Sequence, residues 1–149
     1  MSVEPIPLEA AVQALRFVLP LDAPADVQLS RFFREHPALG QRDRAFIAEL
    51  VFGVLRHLRS LEAACGKSTP RLLAIAWLAR IQGWTLRQFE PLLRAPELEQ
   101  VPVIKSLQLA EQPLAVQWDL PDWLADKLLA RHGEAGAARL AQALRQPAP

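Results

Sequence analysis

The sequence predicts an all-α protein, and three observations carry that expectation. Hydrophobic residues make up 51% of the 149-residue chain. Tyr is absent and Gly numbers only six, a balance that suits helices better than a β-sandwich. Apolar residues also recur at three- and four-residue spacing along most of the chain, the period of one helical face. The length fits one domain, or one domain with a short appendage, and a chain this long buries about 68–70% of its unfolded surface.

The first helix is expected over Leu8 to Leu19, where Ala11, Val12, Leu15, Val18 and Leu19 repeat at three and four and Pro20 stops the run. A second runs from about Ala25 to Glu35, with Val27, Leu29, Phe32 and Phe33 as apolar surface; His36-Pro37 closes it, because the residue before proline leaves the α region. After the connecting loop "HPALGQ", a third helix is expected from about Gln41 to Ala64. On it Phe46, Ile47, Leu50, Val51, Val54, Leu55 and Leu58 share a broad face, with Arg42, Glu49, Arg56 and Arg59 opposite. Gly66 is a stop, and Ser68 or Thr69 before Pro70 starts a fourth helix to about Gln82, apolar nearly all round and therefore central.

Thr85 caps a helix from Leu86 to about Arg94, where the helical core is expected to end. Residues 95 to 118 carry three prolines and read as helix or loop. In "WDLPDWLADKLLARHG", Pro121 takes an N1-like position after Asp119, Trp123, Leu124, Leu128 and Leu129 form a stripe, and Gly133 is the C-cap. Glu134 to Arg145 then gives a last amphipathic helix through Ala137, Leu140, Ala141 and Leu144. The reading divides the chain into residues 1–112 and a helical connector, 113–149, whose ending "QPAP" has no reason to be a domain end. There is no internal repeat.

Cys65 is the only cysteine, so no intrachain disulfide can form, which fits a reducing, cytoplasmic setting. Met1-Ser2-Val3-Glu4-Pro5 lacks the basic-then-apolar pattern of a leader, and no uncharged apolar run approaches the roughly 18 residues of a membrane span. His36, His57 and His132 stand in separate segments without zinc-site spacing, so no metal is expected. Neither G-x-G-x-x-G nor G-x-x-x-x-G-K-[ST] occurs, which disfavours a nucleotide cofactor on this chain. Cys65 lies at a helix C-terminus, which raises a thiol pKa, and reads as a partly buried small residue. Asp43 and Glu49 are six apart and form no facing carboxylate pair. No catalytic residue is expected.

The charges are unevenly placed. Residues 31 to 94 hold ten Arg and one Lys against five acids, whereas residues 95 to 130 hold two Lys against six acids. A basic middle points to an anionic partner, and arginine's planar fork grips phosphate and stacks on bases. Arg31 and Arg34, one turn apart, and Arg42 and Arg44 across a short loop could converge; Arg56 and Arg59 extend the set. The alternative is that Arg31 and Arg34 solvate an exposed face while Arg44 pairs with Asp43, Glu35 or Glu49. Trp77, Trp84, Trp118 and Trp123 could stack on bases, but tryptophans on helical apolar stripes are more often core.

The stretch "ADVQLSRFFREHPALGQRDRAFIAELVFGVLR" resembles the amino-terminal domain of the bacterial ribosomal RNA cytosine-C5 methyltransferases of the Sun/RsmB (Fmu) family. A second match, "LPDWLADKLLARHGEAGAARLAQALRQPAP", is similar to the family's segment leading into its methyltransferase domain. The resemblance implies a NusB-like helical bundle with a helical carboxy-terminal extension, and a task on small-subunit ribosomal RNA as part of an S-adenosylmethionine-dependent enzyme. The family's catalytic cysteines and cofactor loops belong to a domain beyond this stretch, so the chain is expected to be a fragment that holds no cofactor and positions RNA through Arg31, Arg34, Arg42, Arg44, Arg56 and Arg59. Competing readings are a module that docks proteins, above all its own methyltransferase domain, and a NusB-like transcription antitermination factor. The family usually has Asn where Arg145-Gln146 stand, and "PRLLAIAWLARIQGWTLRQFEPLL" matches its pattern only loosely.

Overall fold

A computed structural model describes residues 6–146; the readings made on Met1–Pro5 and on the last three residues of "QPAP" lie outside them. Regular structure among the described residues is entirely helical, as the composition predicts. Helix α1 (Leu8–Val18) turns Leu8, Ala11, Val12, Ala14, Leu15 and Val18 inward and packs against α2 (Ala25–Glu35) and α3 (Gln41–Arg56). On α3, Ile47, Leu50, Val51 and Val54 are fully buried, with Phe46, Leu55 and Leu58 packed around them. The apolar face expected there is the core face.

The third helix does not run on to Ala64. It breaks at His57 (φ −117°, ψ 23°), and α4 (Leu58–Cys65) starts anew. The new start is served from far along the chain: Asp119 Oδ1 accepts the Ser60 N–H at 2.7 Å. Ser60 is the third residue of α4, so Asp119 satisfies the donor that an N-cap side chain usually takes. Ser60 Oγ donates to the His57 carbonyl at 3.0 Å, closing the new helix start. Gly66, with φ 70°, ends α4 in the left-handed region where glycine carries no Cβ penalty.

Thr69 accepts the Leu72 N–H at 3.2 Å and Pro70 opens α5 (Pro70–Ala76), which continues as a π-helical turn over Trp77–Ile81. Leu73 through Ala79 are all buried, so this element is the centre of the bundle, as its all-round apolarity predicts. It crosses α3 at Gly53, where an added Cβ would lie 2.1 Å from Trp77 Nε1. The contact requires glycine.

Two expectations fail after this point. Helix α6 (Leu86–Phe89) is one turn long, held by the Thr85–Gln88 capping box, because Pro91 has no N–H with which to continue it. The core does not end near Arg94: α7 (Ala95–Lys105) follows, buries Val101 and Ile104, and packs against α4, α5 and the π-turn. Pro102 sits inside α7 but faces solvent, and burial of its neighbours outweighs its missing hydrogen bond. Arg71 of α5 hydrogen-bonds Glu97 of α7 and Glu9 of α1, joining three helices.

A 3-10 turn (Leu109–Glu111) and α8 (Leu114–Gln117) lead to α9 (Asp122–Arg145), which is bent at Gly133 (φ 72°, ψ 174°), the residue where one helix was expected to stop and another to begin. Asp119 adopts φ 58° and is no helix start, and Pro121 takes the N-cap of α9, one position outside the expected N1. Ala115, Trp118, Leu120, Ala125, Ala137 and Ala141 form a second buried cluster, separate from the main core of Leu8 to Ile104. Trp77 and Trp118 are buried and Trp84 half-buried, but Trp123 is 64% exposed, against the expectation that the tryptophans are core.

Candidate nucleic-acid interface

The six candidate arginines do not share one surface role. Arg31 is exposed and lies 3.7 Å from Glu35 one turn on, an ion pair that water screens. Arg34 and Arg42 are exposed. Arg44 makes no ion pair with Asp43, Glu35 or Glu49; its Nε donates to the Leu39 carbonyl at 2.9 Å and its guanidinium stands 5.6 Å from the Phe33 ring centre. It fastens the loop before α3 to α2. Arg59, expected beside Arg56 on an outer face, is turned away by the break at His57, and its Nη1 donates to Leu120 O at 3.0 Å and Asp122 Oδ1 at 3.2 Å. Arg59 therefore tacks α4 to the start of α9.

Arg56 has a different environment. It is half-buried and makes no hydrogen bond or ion pair within the described residues. It lines a groove of about 520 Å³ between α3, the π-turn and the end of α9, together with Glu49, His57, Gln82, Gln142 and Arg145. Two guanidinium groups from distant parts of the chain thus face one cleft. The sequence reading did not foresee Arg145, Gln82 or Gln142; the one local signal was a cation in the last turn of an expected helix, where it complements the helix dipole.

Arg145 also belongs to the junction that seats α9 on the bundle. Its Nη1 donates to Gln117 O at 3.1 Å and lies 3.5 Å from Asp119 Oδ2. His57 Nδ1 lies 3.4 Å from the same oxygen. Neither approach has hydrogen-bond geometry, so this buried oxygen makes no hydrogen bond among the described residues. Asp119, 1% exposed at its side chain, therefore joins His57, Ser60 and Arg145 in one cluster.

Elsewhere the groups are quiet. Burial, and then the charge of Glu62, push the Cys65 thiol up to about 11, and it donates to Leu72 O at 3.3 Å. The Arg71 guanidinium holds the Glu97 carboxyl below its usual range. Among the described residues no three His, Cys, Asp or Glu side chains gather where a metal ion could be held. Those residues also form no strand. Among the described residues no helix is long and apolar enough to cross a membrane.

Fold and site define a helical bundle with a groove that gathers Arg56 and Arg145. Its sequence is 32% identical over 146 residues to "Ribosomal RNA small subunit methyltransferase B" of Thermus thermophilus, a match covering 84% of this chain and 35% of that protein. The chain is thus similar to a small-subunit ribosomal RNA methyltransferase over most of its own length, and spans about a third of the length of this relative. No family model matches the chain, and no solved structure matches it.

Proposed function

We propose that this chain is the RNA-positioning part of an S-adenosylmethionine-dependent small-subunit ribosomal RNA cytosine-C5 methyltransferase, with residues 1–112 as a NusB-like RNA-binding domain and 113–149 as the connector to the catalytic domain. The match to a small-subunit methyltransferase over 84% of the chain carries the reading. The surplus of cations between residues 31 and 94 supports it. Arg31, Arg34, Arg42 and Arg56 contact phosphates in this reading, while Arg44 and Arg59, committed to backbone carbonyls, hold the surfaces that present them. The chain contributes affinity and orientation; the methyl-transfer chemistry and its cofactor belong to the catalytic domain, and the work takes place in the cytoplasm.

Titration with small-subunit ribosomal RNA helices at two salt concentrations tests this. Affinity should fall with salt, with a log-log slope of about −0.7 for each phosphate contacted on single-stranded segments. Binding that ignores salt, or no binding at all, overturns the reading. The docking alternative draws on one observation: Trp123 and Leu144 on α9 are 64% and 62% exposed. If those side chains are covered by the catalytic domain, its addition protects them while RNA affinity stays unchanged.

A further inference from the structure

We infer that the groove between α3, the π-turn and the end of α9 binds single-stranded RNA, and that it is complete only while α9 is latched to the bundle, so RNA binding and seating of the extension reinforce each other. The inference rests on the RNA reading above and names its site. Three separated segments build the groove: α3 supplies Glu49 and Arg56, Gln82 follows the π-turn, and α9 supplies Gln142 and Arg145. Removing α9 would leave Arg56 without its companion cation.

The groove's chemistry selects the ligand class. Arg56 has its whole guanidinium fork available among the described residues. Arg145 commits only Nη1, so further N–H donors of the five on its guanidinium are left for a ligand. The uncommitted Arg56 fork and the remaining Arg145 donors suit a phosphate, with the Glu49 carboxylate on the same wall and the Asp119 carboxylate beside Arg145. The Gln82 and Gln142 amides each offer donors and an acceptor, which suits base edges, and in RNA these are open to side chains chiefly in unpaired strands. The wall between them is the π-turn, a backbone form found frequently at functional sites, and it leaves Ile81 43% exposed as apolar surface for a base.

Coupling follows from Arg145. The residue that faces the groove also donates to Gln117 O and approaches Asp119, whose other oxygen caps α4. A ligand that binds only the seated form stabilises seating in proportion to its occupancy, and seating raises the affinity by the same factor.

The test uses the whole chain and a single-stranded RNA of about 12 nucleotides, within the range of single-strand site sizes, with the duplex of the same sequence beside it. Arg56→Gln and Gln142→Ala should each weaken single-strand binding about three- to tenfold, and Arg56→Gln should lower the salt slope by about 0.7. Arg145→Lys, which keeps charge but not the fork, should fall between wild type and Arg145→Gln. RNA should slow hydrogen exchange across residues 137–145, and Asp119→Ala should weaken RNA binding although Asp119 is not part of the groove wall. Should an Arg145 variant fail to fold, Arg56→Gln decides the matter. Wild-type affinity in both Arg56→Gln and Gln142→Ala, with loss in an Arg31→Gln/Arg34→Gln double variant, overturns the groove and leaves the RNA reading standing. Equal affinity for duplex and single strand overturns the single-strand assignment. No binding by the unaltered chain overturns both.

Discussion

At the scale of single residues, the tightest constraint is one the sequence hides. Gly53 sits within "LVFGVLR", where it looks like one more small residue beside an apolar face. Its partner, Trp77, lies 24 positions on, and only the crossing of α3 with the π-turn shows that the indole occupies the space a methyl group would need. Gly53→Ala should therefore destabilise the protein by about 1–3 kcal/mol, despite alanine's better helix propensity, because the indole must move inside a packed core. Denaturant unfolding measures this, and an alanine variant as stable as the wild type would show that Trp77 can shift at no cost. Arg44 teaches the same lesson: the sequence offered three nearby acids, yet its partners are a carbonyl and a ring. Local sequence lists the partners in reach but not the direction in which a side chain leaves the helix.

At the scale of elements, long apolar-periodic helices were legible and their interruptions were not. The bounds of α1 and α2, the cap at Thr69, the left-handed Gly66 and the bend at Gly133 all follow from local residue chemistry. The break between α3 and α4 does not, since nothing at His57 demands it and the acceptor that serves the new helix start is a carboxylate some sixty residues away. For residues 95 to 118 the sequence left helix and loop open for the complementary reason: Pro96 and Pro102 argue against the helix α7 that burial of Val101 and Ile104 nevertheless supports. If Asp119 caps α4 from outside, Asp119→Ala should cost about 1–2 kcal/mol, the range expected for the loss of one helix cap. Asp119→Asn keeps an oxygen for the Ser60 N–H and tolerates a positive φ, so it should recover part of that loss. Hydrogen exchange at Ser60 separates the outcomes: faster exchange in the alanine variant alone supports the cap, and equal exchange in both refutes it.

At the scale of the whole molecule, a formal net charge of +1 conceals an arrangement in which cations do two kinds of work. Arg56 and Arg145 share a groove, whereas Arg71 is spent inside the architecture, joining α5 to Glu97 of α7 and Glu9 of α1. The sequence showed the surplus of arginine but not this division, because helix packing decides which cations meet acids and which meet solvent. The internal tie has a pH signature whose sign is fixed. The hydrogen bond from Arg71 lowers the Glu97 pKa from its ordinary 4.5, while Arg71 stays cationic throughout. A carboxyl held below its unfolded value contributes stability that is complete above about pH 4.5 and is lost as pH falls through the lower folded value. Wild type should therefore exceed Glu97→Gln in denaturant midpoint by a constant margin at about pH 6 and above, and that margin should shrink towards pH 3. A margin unchanged across this range would mean that Glu97 acts by packing and that α1, α5 and α7 hold together without the charge at their junction.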